Sequence, residues 1–277
     1  GLPPSSALGA NPPSGMILYY SIIPTDTADH VSIEITDKDG KLVRSYASNE
    51  KLPAKRVSKD TAMNVLVWNF RTESQLLPEG LFVIGGNTGY KVSPGKYKVK
   101  VSYGKESETK EFEIKNDPRQ TTSADDFNEQ QSILAQLKTS IDDIYEQVKK
   151  MRYVKEQANA FSKRGDLENK EIKDKINSIN KNIDSLEAML VQSKTKTFQD
   201  VINFENQLDG KLKHVMDVVD DAVPPVTQGQ KVRANDLIKE WVIQKAAVNR
   251  IIQEEVKELN NLIQKNQVPF ISTQPTG

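Results

Sequence analysis

The pattern of apolar positions changes its period near residue 120. Before this point apolar residues alternate with polar ones in short runs, as in Val31–Ile35 and Tyr97–Tyr103. After it they recur every three or four residues through most of the remaining chain. Alternation is typical of half-buried strands, and a period near 3.6 is typical of helices with one apolar face. The sequence therefore predicts a β domain followed by a helical domain, with the joint at 117–119.

The first half reads as a series of short strands separated by turn residues. Asp37–Gly40 favours a hairpin turn, because glycine tolerates the positive φ that such turns require. Ser93–Gly95 indicates another turn, and Trp68 is expected to fill the core between the sheets. We predict a linker over 1–14, rich in Pro, Ser and Gly, and an immunoglobulin- or fibronectin-like β-sandwich over 15–119. The predicted strands are Met16–Ile22, Val31–Thr36, Lys41–Ala47, Asn64–Phe70, Lys96–Tyr103 and Thr109–Lys115.

The second half, 120–277, predicts an antiparallel bundle of long helices. Ser123 and Asp126 have the spacing of a capping box, and the apolar residues from Leu134 to Met151 step by three and four, as in a coiled coil. A second such series, from Ile172 to Leu190, predicts a matching helix. The Val223–Val226 segment contains two prolines and cannot be helical throughout. The helices are predicted at about 124–164, 167–194, 208–220 and 231–265.

The apolar helix faces admit a second interpretation, in which one of them recruits a partner chain. Packing within the chain is favoured because the faces match in length and the turns are short. Oligomerisation through a remaining face stays open, and Asn177 or Asn180 would fix the helix register if either is buried.

Composition excludes several classes of partner. The chain has 38 basic and 38 acidic residues, and the first 120 residues contain 16 and 14 of them. Neither half is polarised enough to predict nucleic-acid binding, which needs a concentrated basic face. No apolar run approaches the roughly 20 residues of a membrane helix, so membrane insertion is not expected. The absence of cysteine excludes disulfides and thiolate chemistry.

Residues that commonly carry chemistry are few and scattered. There are two histidines, His30 and His214, and no phosphate-binding loop, nucleophile elbow or zinc-protease motif. Asp37–Gly40 faintly resembles a calcium loop but lacks its bidentate glutamate. Several carboxylates are interpreted as solvated residues on helix surfaces: Asp142, Asp143, Asp217, Asp220 and Asp221. We therefore predict no catalytic, cofactor-binding or metal-binding residue, no cofactor, and no enzyme activity for this chain.

A carbohydrate-binding surface is the alternative, because exposed tyrosines could stack on sugar rings. Core packing is the more common role of an aromatic residue in a short strand. The glycine-rich stretch within 71–92, with glycines at 80, 85, 86 and 89, is the best location for a binding loop. The tyrosines concerned are Tyr19, Tyr20, Tyr46, Tyr90, Tyr97 and Tyr103.

Several further segments follow one another in a distinctive order. They are Asn11–Tyr20, Ile35–Arg44, Val65–Arg71, Val92–Val99, Asp117–Arg119 and Pro224–Gln228. In this order they resemble the C-terminal region of bacterial sortilin-like, BNR-repeat β-propeller proteins, which are often labelled glycosyl hydrolases. That region has a sandwich similar to the immunoglobulin-like domain of flagellar hook-capping proteins, followed by a helical tail. Asn69 stands where the family usually has aspartate.

The resemblance implies the C-terminal part of a longer bacterial protein that is extracellular, periplasmic or on the cell surface. Its β-propeller would precede residue 1, would be the partner of this chain, and would contain any catalytic site. The leading hypothesis is thus a non-catalytic structural and interaction module, with protein or glycan partners possible. The alternative is a carbohydrate-binding module attached to a glycoside-processing propeller.

Overall fold

The chain is a mixed α and β protein that divides into two compact units. The computed structural model describes residues 13–23, 28–163 and 169–268. The β unit contains the described residues up to Ser74 and those of Thr88–Thr121, and the helical unit contains Gln75–Asn87 and the residues from Thr122 onward. Most of the predicted linker, 1–12, lies outside the described residues. Of the β domain predicted over 15–119, residues 75–87 belong instead to the helical unit.

The described residues of the β unit form six strands in two antiparallel sheets. In chain order, one sheet pairs the first strand with the fourth, and the other has the order third, second, fifth and sixth. All six predicted strands are present, with ends that differ by a few residues. The strands are β1, Met16–Tyr20; β2, Val31–Asp37; β3, Leu42–Ala47; β4, Asn64–Trp68; β5, Gly95–Tyr103; and β6, Glu106–Ile114.

One core cluster contains inward-facing residues from both sheets. Trp68 is fully buried in it, and its ring makes edge contacts with Phe70, Tyr97 and Phe112, with centroids 5.5, 6.0 and 6.1 Å away. The indole Nε1 donates a hydrogen bond to the Arg71 carbonyl oxygen at 2.9 Å, which satisfies its polar group. The prediction that Trp68 fills this core is confirmed.

The described residues of the helical unit form five α-helices. Ser123 caps the first helix, and the predicted capping box with Asp126 is present. The predicted ends near 164 and 167 fall in 164–168, outside the described residues. The helices are α1, Ala124–Ser162; α2, Lys170–Leu190; α3, Leu208–Asp221; α4, Gln228–Asn249; and α5, Val256–Lys265.

Two of the predicted helix boundaries require correction. The second helix ends at Leu190 and not at 194, because Val191 adopts an extended conformation with φ −138° and ψ 144°. The last helix starts at Gln228, three residues before the predicted start, and a π-helical segment, Arg250–Glu255, separates α4 from α5. A cis peptide bond joins Pro224 to Pro225 in the non-helical connection before α4.

The predicted apolar faces of α1 and α2 are buried within the chain. From Leu134 to Met151 every residue of the first series is almost fully buried, as are the isoleucines of α2. Asn180, at the edge of that face, donates from Nδ2 to Asn159 Oδ1 of α1 at 2.7 Å, whereas Asn177 is exposed. Among the described helices none is both long and apolar enough to cross a membrane.

Candidate functional site

A cavity of about 140 Å³ lies inside the helical unit and is the best-formed candidate site. One wall is the apolar segment Leu81–Gly85, and another is the first turns of α3. The connection between α2 and α3 completes it. Its polar lining residues are Gln192, Thr195, Asn206, Asp209, His214 and Asp217.

Hydrogen bonds hold the 75–87 segment in the helical unit. Gln75 is almost fully buried, and its side-chain amide lies 3.8 Å from Met216 Sδ. The Gly80 carbonyl oxygen accepts from Lys196 Nζ at 2.7 Å, and the Glu79 carbonyl oxygen accepts from Arg152 Nη1 at 2.6 Å. The stretch that the sequence marks as the best place for a binding loop therefore forms a wall of the cavity, although ligand binding there stays a prediction.

Asp209 is the buried ionisable group of this cavity. Only 4% of the residue is exposed, and its position at the start of α3 lets Oδ1 accept the Gly210 N–H at 2.6 Å. The Tyr145 hydroxyl, on α1, donates to Oδ2 at 3.4 Å. Burial raises the pKa of Asp209 to about 6, since a carboxylate loses its hydration there. Burial, and then the nearby Asp209 charge, raises the pKa of Tyr145 far above its ordinary value.

The other charged groups near the cavity are engaged in pairs. Lys213 is almost fully buried and forms an ion pair with Asp217, one helical turn further along α3. His214 is exposed. The Tyr145–Asp209 contact joins a hydroxyl to a carboxylate at this cavity, and the raised pKa of Tyr145 favours the protonated hydroxyl. The arrangement provides one buried carboxyl group that can bind a proton.

A second depression, of about 470 Å³, is open and lies along α1 and α2. Four of its five charged residues pair across the two helices. Arg152 contacts Glu187 at 2.7 Å, and Lys155 contacts Asp184. Glu156 is the fifth, so the lining carries two basic and three acidic residues and no concentration of positive charge.

The carboxylates that we interpreted as solvated differ in their surroundings. Asp143 accepts hydrogen bonds from Trp241 Nε1 at 3.0 Å and from Gln147 at 3.1 Å, and it contacts Lys245 Nζ at 2.7 Å. Burial alone would raise the pKa of Asp143, but these hydrogen bonds outweigh it and lower that pKa. Asp220 is also buried. The interpretation is therefore wrong for Asp143 and Asp220, which are packed parts of the helical unit.

In the Asp37–Gly40 turn, the first carboxylate accepts hydrogen bonds from the backbone of the turn itself. Oδ1 of Asp37 accepts the N–H groups of Asp39 and Lys41 at 3.0 and 2.9 Å. Across residues 13–23, 28–163 and 169–268, no group of three or more His, Cys, Asp or Glu side chains is placed to hold a metal ion. His30 is exposed and far in sequence from His214.

Most of the tyrosines considered as a sugar-binding surface are in the interior. Tyr20, Tyr46, Tyr90 and Tyr97 are buried, and Tyr103 is half-buried. Of the six, only Tyr19 is exposed, with 62% of its surface accessible. These residues therefore do not form a row of exposed rings, which was the motive for the carbohydrate-binding alternative.

Sequence reasoning missed Asp209, which lines the cavity, and Tyr145, whose hydroxyl donates to it. An aspartate in the first turn of a helix is common, and Tyr145 lies next to the apolar series of α1, so neither position looks unusual. The two residues are 64 positions apart, and only the packing of α3 on α1 brings them together. Comparison of the chain with protein-family models, with curated proteins and with solved structures found no match.

Proposed function

We propose that this chain is a non-catalytic structural and interaction module, built from an immunoglobulin-like sandwich and a long-helix bundle. The shared core around Trp68 supports the first assignment, and the buried apolar faces of α1 and α2 support the second. The engagement of the cavity carboxylates in structural contacts supports a role without catalysis.

The 75–87 segment is the observation that carries this proposal. The chain leaves the β unit after Ser74, contributes a wall of the cavity in the helical unit, and returns at Thr88 before leaving again after Thr121. The chain thus passes between the two units three times. Within the helical unit, Phe82 packs edge-on against Phe198, with centroids 5.2 Å apart, so the 75–87 segment also adds apolar contacts there. These contacts are structural, which supports a scaffold role for the module.

The resemblance described above extends the proposal to a longer protein. The segments that carry it occur in β1, in the β2–β3 hairpin, in β4 and at the start of β5, in the order expected of that family. We infer that the module supports a β-propeller encoded ahead of it, in a secreted or surface bacterial protein. A carbohydrate-binding role is not favoured by any specific contact among the described residues.

Activity and binding measurements test the proposal that the module is non-catalytic. The purified chain is assayed against chromogenic glycosides, esters and peptides, and by affinity electrophoresis against soluble polysaccharides, with an inert protein as control. We expect neither turnover nor retardation. Hydrolysis that disappears in Asp209→Asn would contradict the proposal and would make the cavity an active site.

A substitution in the 75–87 segment tests whether this segment stabilises the helical unit. Phe82→Ser removes the ring contact with Phe198, whereas Leu76→Ser changes an exposed residue of the same 75–87 segment. We expect Phe82→Ser to destabilise the helical unit by about 1–3 kcal/mol and Leu76→Ser to have little effect, as measured by helical circular dichroism in urea. Equal stability of the two variants would show that the 75–87 segment does not stabilise the helical unit.

A further inference from the structure

The β1–β4 sheet has an apolar outer face. In its register Ile17 lies opposite Val67, and Tyr19 lies opposite Val65, and all four side chains point away from the core. The alternation of buried and exposed positions continues beyond the strand ends to Ile23 and Met63, which are exposed and extend the same side of the sheet. We call these six residues the outer β1–β4 face.

No charged residue interrupts this face. The segments from Gly15 to Ile23 and from Thr61 to Asn69 contain no Asp, Glu, Lys or Arg, although 27% of the chain is charged. The four-stranded sheet differs, since its outward positions include Lys98 and Glu111, which form an ion pair across β5 and β6 at 3.3 Å. Charged residues normally keep exposed sheet surfaces from associating. The absence of exposed charged residues is therefore confined to the β1–β4 sheet.

The area of the outer β1–β4 face is that of a protein interface. The six residues are between 37% and 85% exposed. A large side chain presents on the order of 200 Å² when fully exposed, so together they offer roughly 700 Å², close to the 800 Å² per partner of a standard interface. Exposed apolar patches of this size are uncommon on monomeric proteins and mark interaction sites.

We propose that the outer β1–β4 face is a self-association surface, on which a second copy of this chain packs sheet against sheet. A two-fold interface places the same patch of both copies together, so any charge within the patch would lie near its own copy. The outer β1–β4 face avoids this repulsion because it has no charge. A nucleic acid or a charged peptide, in contrast, would find no complementary group there. Two copies would bury roughly 1,400 Å² in total, enough for a specific dimer.

Sedimentation equilibrium of the chain tests this surface. Over concentrations from about 1 to about 200 µM, which bracket a micromolar Kd, the mass is expected to rise towards twice the 31.1 kDa of one chain. Val65→Glu would place two carboxylates in the interface and is expected to raise Kd at least about tenfold. Thr109→Glu is the matched control, because Thr109 is an exposed β-branched residue of the four-stranded sheet, opposite Lys100.

Tyr19→Ser is a second, milder variant that keeps the strand uncharged, and circular dichroism verifies that each variant is folded. We expect Tyr19→Ser to weaken association several-fold and Thr109→Glu to leave it unchanged. A mass of one chain over the whole concentration range would overturn the proposal. It would also be overturned if both face variants associated as tightly as the unchanged chain, since the contact would then lie elsewhere, for example on a helix.

Discussion

The β unit and the helical unit place their charged residues differently. In the described β unit the only charged residue in the interior is Arg44, whose guanidinium lies beside Glu73 at 3.7 Å. The helical unit buries Asp209, Lys213 and Asp220. Alternation turns most polar positions of a strand outward, with Arg44 on β3 as the charged exception. By contrast, α3, which holds the three buried charged residues of the helical unit, packs against both α1 and α4. Helix packing on several sides therefore encloses ionisable groups that a two-sheet arrangement leaves outside.

The positions of the two tryptophans allow the unfolding of the two units to be followed separately. The chain has two tryptophans, Trp68 in the β unit and Trp241 in α4 of the helical unit, and both are buried. Each unit thus carries one fluorescent reporter of its own packing.

The largest expected effect is on the β unit. Trp68→Ala removes the ring around which both sheets pack and is expected to destabilise this unit by about 3–5 kcal/mol. Hydrogen exchange of β2 and β5 measures the loss, and Trp241 fluorescence follows the helical unit in the same urea series. If both units lose stability together, they unfold as one cooperative body and the comparison fails.

A similar but smaller loss is expected in the helical unit from Ile141→Ala. This residue is fully buried on α1, and its truncation leaves a cavity that costs about 2–4 kcal/mol. Helical circular dichroism in urea measures it. Tyr153→Ala, on the exposed side of the same helix, serves as the control and should change stability by less than about 0.5 kcal/mol. Equal effects of the two would mean that the apolar series does not form the core.

Asp209→Asn should alter how stability depends on pH. The pKa of Asp209 is about 6 in the folded chain, against about 3.9 in an unfolded one, so the folded state retains a proton that the unfolded state has released. Stability from this group therefore falls as pH rises from about 4 to about 6 and is constant above that range. The variant lacks this loss. Its stability relative to the unchanged chain should improve by about 2 kcal/mol between pH 4 and pH 7.

Urea unfolding at the two pH values measures this difference. The comparison uses the change with pH, because any constant effect of the Asn amide on packing or on the Tyr145 contact cancels. A difference that is independent of pH would show that Asp209 is not desolvated in the folded chain.

The smallest expected effect has the opposite sign and concerns Asp143→Asn. The pKa of Asp143 is lowered, so its contribution is present above the unfolded value near 3.9 and is lost as pH falls through the folded pKa. The variant should therefore be less stable by about 1 kcal/mol at pH 7 and should approach the unchanged chain near pH 3. Trp241 fluorescence reports the change directly, because its indole donates to this carboxylate. A variant that loses most stability at low pH would contradict this assignment.

Much of the secondary structure could be predicted from local patterns. The six strands follow from alternation, and α1 follows from its capping serine and the regular series from Leu134 to Met151. The early end of α2 at Leu190 and the π-helical segment after α4 had no such signal. Val191, with its extended backbone, and Ile251, in the π-helical segment, are both almost fully buried, and burial is a tertiary property that a local pattern does not contain.

The candidate site was predictable only in part. The glycines of the 71–92 stretch correctly indicated an irregular loop, and residues 81–85 of that loop line the cavity. The partner groups could not be predicted, because Asp209 and Tyr145 have ordinary positions on separate helices. Their shifted pKa values arise from desolvation, and desolvation depends on how the helices pack.

The sequence by itself determined the elements, the change from strands to helices near residue 120, and the uncharged character of the outer β1–β4 face, because periodicity and composition are local properties. Only the tertiary structure decided that residues 75–87 join the helical unit and that Asp209 is buried beside Tyr145. Both depend on contacts between residues far apart in the chain, which a one-dimensional pattern does not contain.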